Sequence, residues 1–152
     1  MHSISGIWHN HVLFAAVIGW FLAQALKIPV YYLVEGKWDW KRFYGSGGMP
    51  SSHTAMVVAA SIMVGALNGF DSALFAVAAV FSSVVMYDAT GVRRETGRQA
   101  VIINRILQDA LINGRHISNV ELKELVGHKP IEVAAGAVLG FVIAAVYLVV
   151  LH

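Results

Sequence analysis

Cysteine is missing altogether, and only 13% of the 152 residues are charged. Without thiols there is no disulfide framework, no thiolate metal site and no cysteine nucleophile. A soluble domain carries about a quarter of its residues as charges, so this shortfall excludes an ordinary water-soluble globule. Hydrophobic residues make up 57% of the chain, which excludes disorder as well. Lysine and arginine are also missing from residues 1–11, so a cleaved signal peptide is not expected there. The formal net charge of +2 is small, and its distribution says more than its size.

What is abundant is apolar sequence, in four runs at 12–34, 54–70, 73–87 and 131–151. A membrane-spanning helix needs about 20 mostly apolar residues. The first and fourth runs meet that length. The second and third are shorter and flank Asn68-Gly69-Phe70-Asp71-Ser72, a tight-turn sequence, so together they read as a short transmembrane hairpin. The expected fold is a single all-α integral membrane domain over 1–152 with about four transmembrane helices. Four spans put loops 35–53 and 88–130 on one side, and all 11 lysines and arginines fall on that side. The positive-inside rule then makes both loops cytoplasmic and both termini external, in a multi-pass protein of the cell membrane.

Within the second loop, Ala100, Ile103, Ile106, Leu107, Ala110 and Leu111 recur at helical spacing, opposite Asn104, Arg105, Gln108 and Asp109. An amphipathic helix over about 97–112 is expected, ended by Asn113-Gly114. A second short helix over 118–126 is expected from Ser118 and Glu121, which are spaced as a capping box. These form a cytoplasmic cap, packed on the bundle or lying in the headgroup layer. No nucleic-acid partner is expected.

Three stretches have the makings of a site. Gly45-Ser46-Gly47-Gly48-Met49-Pro50-Ser51-Ser52-His53-Thr54 joins a glycine-rich loop to a helix start, where free N–H groups and the helix dipole favour an anion. Ser51 or Ser52 is equally at home there as a plain N-cap. Gly127-His128-Lys129-Pro130-Ile131-Glu132 repeats the arrangement at the fourth span, with Glu132 one helical turn past His128 and able to orient its imidazole. Both helices run in the same direction, so both histidines reach the same membrane face. Asp88 through Arg98 leaves the third span into Arg93 and Arg94, whose forked donors match phosphate oxygens. Lys27 sits inside or just below the first span, as a substrate ligand or as a snorkelling side chain.

Taken together, Gly47-Gly48-Met49-Pro50-Ser51-Ser52-His53, the stretch 88–98 and Gly127-His128-Lys129-Pro130-Ile131-Glu132 resemble the divergent branch of the type 2 phosphatidic acid phosphatase family, related to acid phosphatases and vanadium-dependent haloperoxidases. The resemblance runs from about Lys27 to Gly140. In the better-known branch a histidine attacks phosphorus, a carboxylate orients it, and the histidine of a Pro-Ser-Gly-His motif protonates the leaving oxygen, without a metal. Pro50-Ser51-Ser52-His53 is similar to that motif with serine for glycine, and His128 with Glu132 is similar to the closing His-x3-Asp with Glu for Asp. Arg93 or Arg94 stands in for the family's arginine, at a much greater distance along the chain. The Lys-x6-Arg-Pro motif is absent, and Lys27 and Arg42 are its loose counterparts.

The resemblance implies a phosphatase acting on a membrane lipid monophosphate. His128 is the expected nucleophile, held by Glu132 or Asp88, and His53 the expected general acid. Lys27, Ser51, Ser52, Arg93, Arg94 and Arg98 are expected to hold phosphoryl oxygens. No cofactor is implied, with Mg²⁺ on Asp88 and another carboxylate left open. The alternative is a transporter or flippase component that binds a phosphorylated lipid without cleaving it. Gly19, Gly65, Gly136 and Gly140 permit close helix packing, and Gly136 with Gly140 form a small-xxx-small pair suited to a homodimer.

Overall fold

The computed structural model describes residues 4–45, 47–112 and 127–151, with only the backbone for 4–5, 93–94 and 109–112. The expected helix over 118–126 therefore lies outside the described residues. The described residues are all-α: helices α1 (His11–Glu35), α2 (Ser52–Asn68), α3 (Ala73–Thr90), α4 (Val92–Ile112) and α5 (Pro130–Leu151), with short 3₁₀ turns at Ile4–His9 and Trp40–Phe43. Among the described residues, three helical stretches are long and apolar enough to cross a membrane: α1, the stretch Ala73–Gln108 that contains α3, and α5. Helix α2 is apolar and shorter.

Helix α2 is the hub, packed against α1, α3 and α5. Its 17 residues rise only about 25 Å at ~1.5 Å each, short of a ~30 Å hydrocarbon layer. A short helix is tolerable here because its polar start is satisfied by protein, as buried backbone in a membrane must be. Ser51 is the N-cap, its Oγ accepting from the Thr54 N–H at 3.5 Å and from Thr54 Oγ1 at 3.0 Å. The Ser51 N–H donates to the Glu132 carbonyl of α5 at 2.9 Å. Farther along, Ser61 Oγ lies 3.0 Å from the Ala78 carbonyl and 2.7 Å from Ser82 Oγ, which lies 3.0 Å from the Val57 carbonyl. These hydroxyls join α2 to α3 where no water competes.

Glycines set how close the helices come. A Cβ at Gly136 would stand 2.5 Å from the Ser51 carbonyl oxygen, and one at Gly140 would stand 2.5 Å from that of Ala55. Gly19 brings α1 close to α2 as well, though less tightly, with the Ala55 oxygen 3.0 Å from a hypothetical Cβ there. The pair expected to face a second copy is therefore occupied inside the chain by α2. Ala15, Met63 and Ala144 form the inner core nearer the other end of the bundle.

The fold departs from expectation between α3 and α4. The apolar run stops at Tyr87, yet α3 continues through Asp88 to Thr90, and α4 begins at Val92, five residues before the expected start. Arg93 and Arg94 therefore lie on a helix and not in a loop. Arginine and glutamate are good helix formers, and the Arg98 guanidinium meets the Glu95 carboxylate one turn away at 2.7 Å. Gly91 alone interrupts the two helices.

Candidate active site

Where α1 ends and α5 begins, a cavity of about 530 Å³ opens between α1, α4, α5 and the loop before α2. Helix α1 contributes Lys27, Val30, Tyr31, Val34 and Glu35, spaced i, i+3, i+4, i+7 and i+8 and so on one face. Gly47 and Gly48 bring the loop backbone to the wall, both at positive φ (88° and 83°), a conformation that favours glycine. Arg98 and Val101 come from α4, and His128, Lys129, Ile131 and Glu132 from the start of α5.

His128 is buried, and two links fix it. Its backbone N–H donates to the Ala89 carbonyl at the end of α3 at 3.0 Å. Its Nδ1 lies 2.8 Å from Glu132 Oε2. The same carboxylate oxygen accepts the Lys129 backbone N–H at 3.1 Å. With Pro130 in the first turn, Glu132 thus caps α5 as the glutamate of a capping box does and orients the imidazole as well. The two readings of this glutamate, helix cap and histidine partner, hold together. An ionised Glu132 accepts from Nδ1–H, and that tautomer leaves the Nε2 lone pair free for chemistry.

Lys27 is 3% exposed, and its Nζ donates to the Gly45 carbonyl at 3.3 Å. One turn earlier, Gln24 Nε2 donates to the Phe43 carbonyl at 2.9 Å, so both side chains tie the loop down onto α1. Lys27 and Glu132 both line the cavity. Arg42 stacks over the Tyr31 ring at 4.1 Å and lies 3.7 Å from Asp39. A cation on an aromatic face and beside a carboxylate is held in place while keeping donors to spare.

Of the residues expected in the site, Lys27, Arg98, His128 and Glu132 line this cavity. Arg42, with Lys27 a loose counterpart of the absent Lys-x6-Arg-Pro motif, lines it too. Ser51 and Ser52 are 0% and 2% exposed and are sealed beneath it. Neither is among the lining residues, and the Ser51 hydroxyl caps α2. His53 is exposed and is not part of the lining. The helical turn that buries Ser51, Ser52, Thr54 and Ala55 rotates His53 to the outer side of α2. His53 and His128 therefore do not share the cavity. Asp88, in the last turn of α3, is not among the described lining residues, and the carboxylate at His128 Nδ1 is that of Glu132. For Arg93 and Arg94 only the helical backbone is described. Tyr31, Glu35 and Lys129 were missed, although the helical repeat from Lys27 points to the first two. Among the described residues no group of three or more His, Asp or Glu is placed to hold a metal ion.

Residues 8–143 match the family model described as the Divergent PAP2 family. The chain belongs to that family. It is 40% identical over 147 residues to the "Uncharacterized membrane protein YuiD" of Bacillus subtilis (strain 168), covering 90% of this chain and 93% of the relative. No solved structure matches it. The relative's description and the apolar helices agree on a membrane location. In this divergent PAP2 protein the histidine–glutamate pair, the buried lysine and the two lining arginines converge from four segments that are distant in sequence.

Proposed function

We propose that this protein hydrolyses a membrane lipid phosphomonoester through His128. The observation that carries the reading is the His128–Glu132 pair at 2.8 Å in the wall of a cavity that also presents Lys27, Arg42 and Arg98. Nε2 of His128 attacks phosphorus and the bond from phosphorus to the lipid oxygen breaks. The lipid leaves as its alcohol once that oxygen gains a proton. Water then cleaves the phosphohistidine, giving inorganic phosphate and the free imidazole. Lys27, Arg42 and Arg98 offset charge on the phosphoryl oxygens, the main catalytic device in phosphoryl transfer. Val30, Val34, Met49, Val101 and Ile131 supply apolar wall for the lipid stem.

Phosphate release tests this. Purified protein given phosphatidate, phosphatidylglycerol phosphate and an isoprenyl phosphate should release phosphate from at least one, with or without chelator. His53→Ala discriminates the proton donor. A general acid matters most for a poor leaving group, so a donor role would slow lipid substrates far more than p-nitrophenyl phosphate. From its place off the cavity we expect small and equal losses on both. The lack of a second histidine among the described lining residues favours one other reading, a site that binds a phosphorylated lipid without cleaving it. Saturable binding with no release from any substrate would establish that reading.

We place the cavity on the cytoplasmic face and both termini outside, because the lining cations and every other basic residue belong to one side of a four-pass topology. Reporter fusions should find His152 external and a site near Lys37 cytoplasmic. A cytoplasmic C-terminus would overturn the four-pass arrangement.

A further inference from the structure

Helix α4 carries more than the cavity needs. Successive residues turn by about 100°, which gives this helix three faces. Gly97, Ala100 and Asn104 are buried. Arg98 and Val101, with Gly97, border the cavity. The third face is Val92, Ile102, Ile103 and Ile106, which are 60%, 58%, 43% and 59% exposed. Outside a membrane such an isoleucine face would be a liability.

Three observations indicate what covers it. Only Gly91 separates α4 from α3, whose Val77, Val80, Phe81, Val84 and Tyr87 are exposed along the apolar stretch that begins at Ala73. The helix therefore starts at the membrane boundary. At the same end of the bundle, Tyr32, Trp38 and Trp40 form an exposed cluster of rings, with centroids 5.5 and 5.7 Å apart in sequence. Exposed tyrosine and tryptophan mark the headgroup level of a bilayer. The helix also carries Arg93, Arg94, Arg98 and Arg105 against Glu95 and Asp109, a positive excess suited to anionic headgroups.

We propose that α4 lies in the plane of the membrane surface, with Val92, Ile103 and Ile106 seated at the boundary of headgroups and acyl chains in an anionic leaflet. An apolar face with arginines beside it is the pattern of an interfacial helix. Seated this way, α4 holds Arg98 and the cavity mouth at the level of the lipid phosphates. A substrate then reaches the site without leaving the leaflet.

The natural chain has no cysteine, so single cysteines report cleanly. Ile106→Cys and Gln108→Cys lie about 160° apart around the helix. Each is spin-labelled in the full chain, in nanodiscs of phosphatidylcholine and phosphatidylglycerol. Collision with oxygen, which partitions into lipid, is compared with collision with a water-soluble nickel chelate. The label at 106 should favour oxygen and the label at 108 the chelate. A label at 106 shielded from both reagents, or reached freely by the chelate, would overturn the proposal. Efficient bis-maleimide cross-linking of Ile106→Cys into covalent dimers would also overturn it and assign the face to a second copy of the chain. None of these readouts depends on catalysis, so they stand whether or not the protein is a phosphatase.

Discussion

His128→Asn should lower phosphate release by about 10³-fold or more, as deletions within a catalytic unit do. Asparagine keeps a polar side chain in the buried position but has no ring nitrogen to attack phosphorus. The backbone bond from residue 128 to the Ala89 carbonyl is untouched by the change, so the fold should survive. Glu132→Gln separates the two duties of that residue. The glutamine oxygen can still accept the Lys129 N–H and cap α5, but it cannot stabilise a cationic imidazole as a carboxylate does. Turnover should fall on the order of 10²–10⁴-fold, the range that acid–base groups supply, with thermal stability little changed. The decisive readout is covalent: an acid-labile phosphoenzyme should accumulate in the native protein and vanish in His128→Asn. A phosphoenzyme that persists in that variant would remove His128 as the nucleophile.

The all-helical membrane build was legible because composition decides it: long apolar runs with little charge have few other solutions. The pairing of His128 with Glu132 was also legible, since four residues is one helical turn and Pro130 fixes where the helix starts. The placement of His53 was not. A Pro-Ser-Ser-His string says that a helix begins but not which side of its first turn faces inward, and that is settled by α1 and α5 packing onto Ser51, Thr54 and Ala55. Ser51 was ambiguous in the same way, because the same serine hydroxyl serves as an N-cap or as an anion ligand. Helix α4 began early because Arg93, Arg94 and Glu95 are polar enough to resemble a loop and still favour a helix. Tyr31 and Glu35 were within reach, one and two turns beyond Lys27. The Gly136 and Gly140 pair was correctly a close-packing face, but a sequence cannot say whether the chain's own helix or another's fills it.

That glycine pair carries the largest expected effect on the fold. At both positions the atom in the way is a backbone carbonyl oxygen of α2, at 2.5 Å, and backbone cannot swing aside as a side chain can. Gly136→Ala and Gly140→Ala must each push α5 away from α2, an overpacking cost of about 1–3 kcal/mol. The melting temperature in detergent should fall by several degrees in both, and Gly136→Leu should fail to accumulate as folded protein. Gly6→Ala is the control, because a Cβ there meets nothing within 4 Å. The two alanine variants should differ in activity. Gly136 lies one turn past Glu132, whose carbonyl receives the Ser51 N–H at 2.9 Å, so displacement there pulls on the strap that fixes His128. Gly140 lies a turn deeper, against Ala55 and Val58. Gly136→Ala should therefore lose at least about 10-fold in turnover, the effect of a catalytic group misplaced by roughly an ångström or less. Gly140→Ala should lose stability with turnover per folded molecule largely kept. Equal turnover in the two variants would mean that the start of α5 is held by something other than its contact with α2.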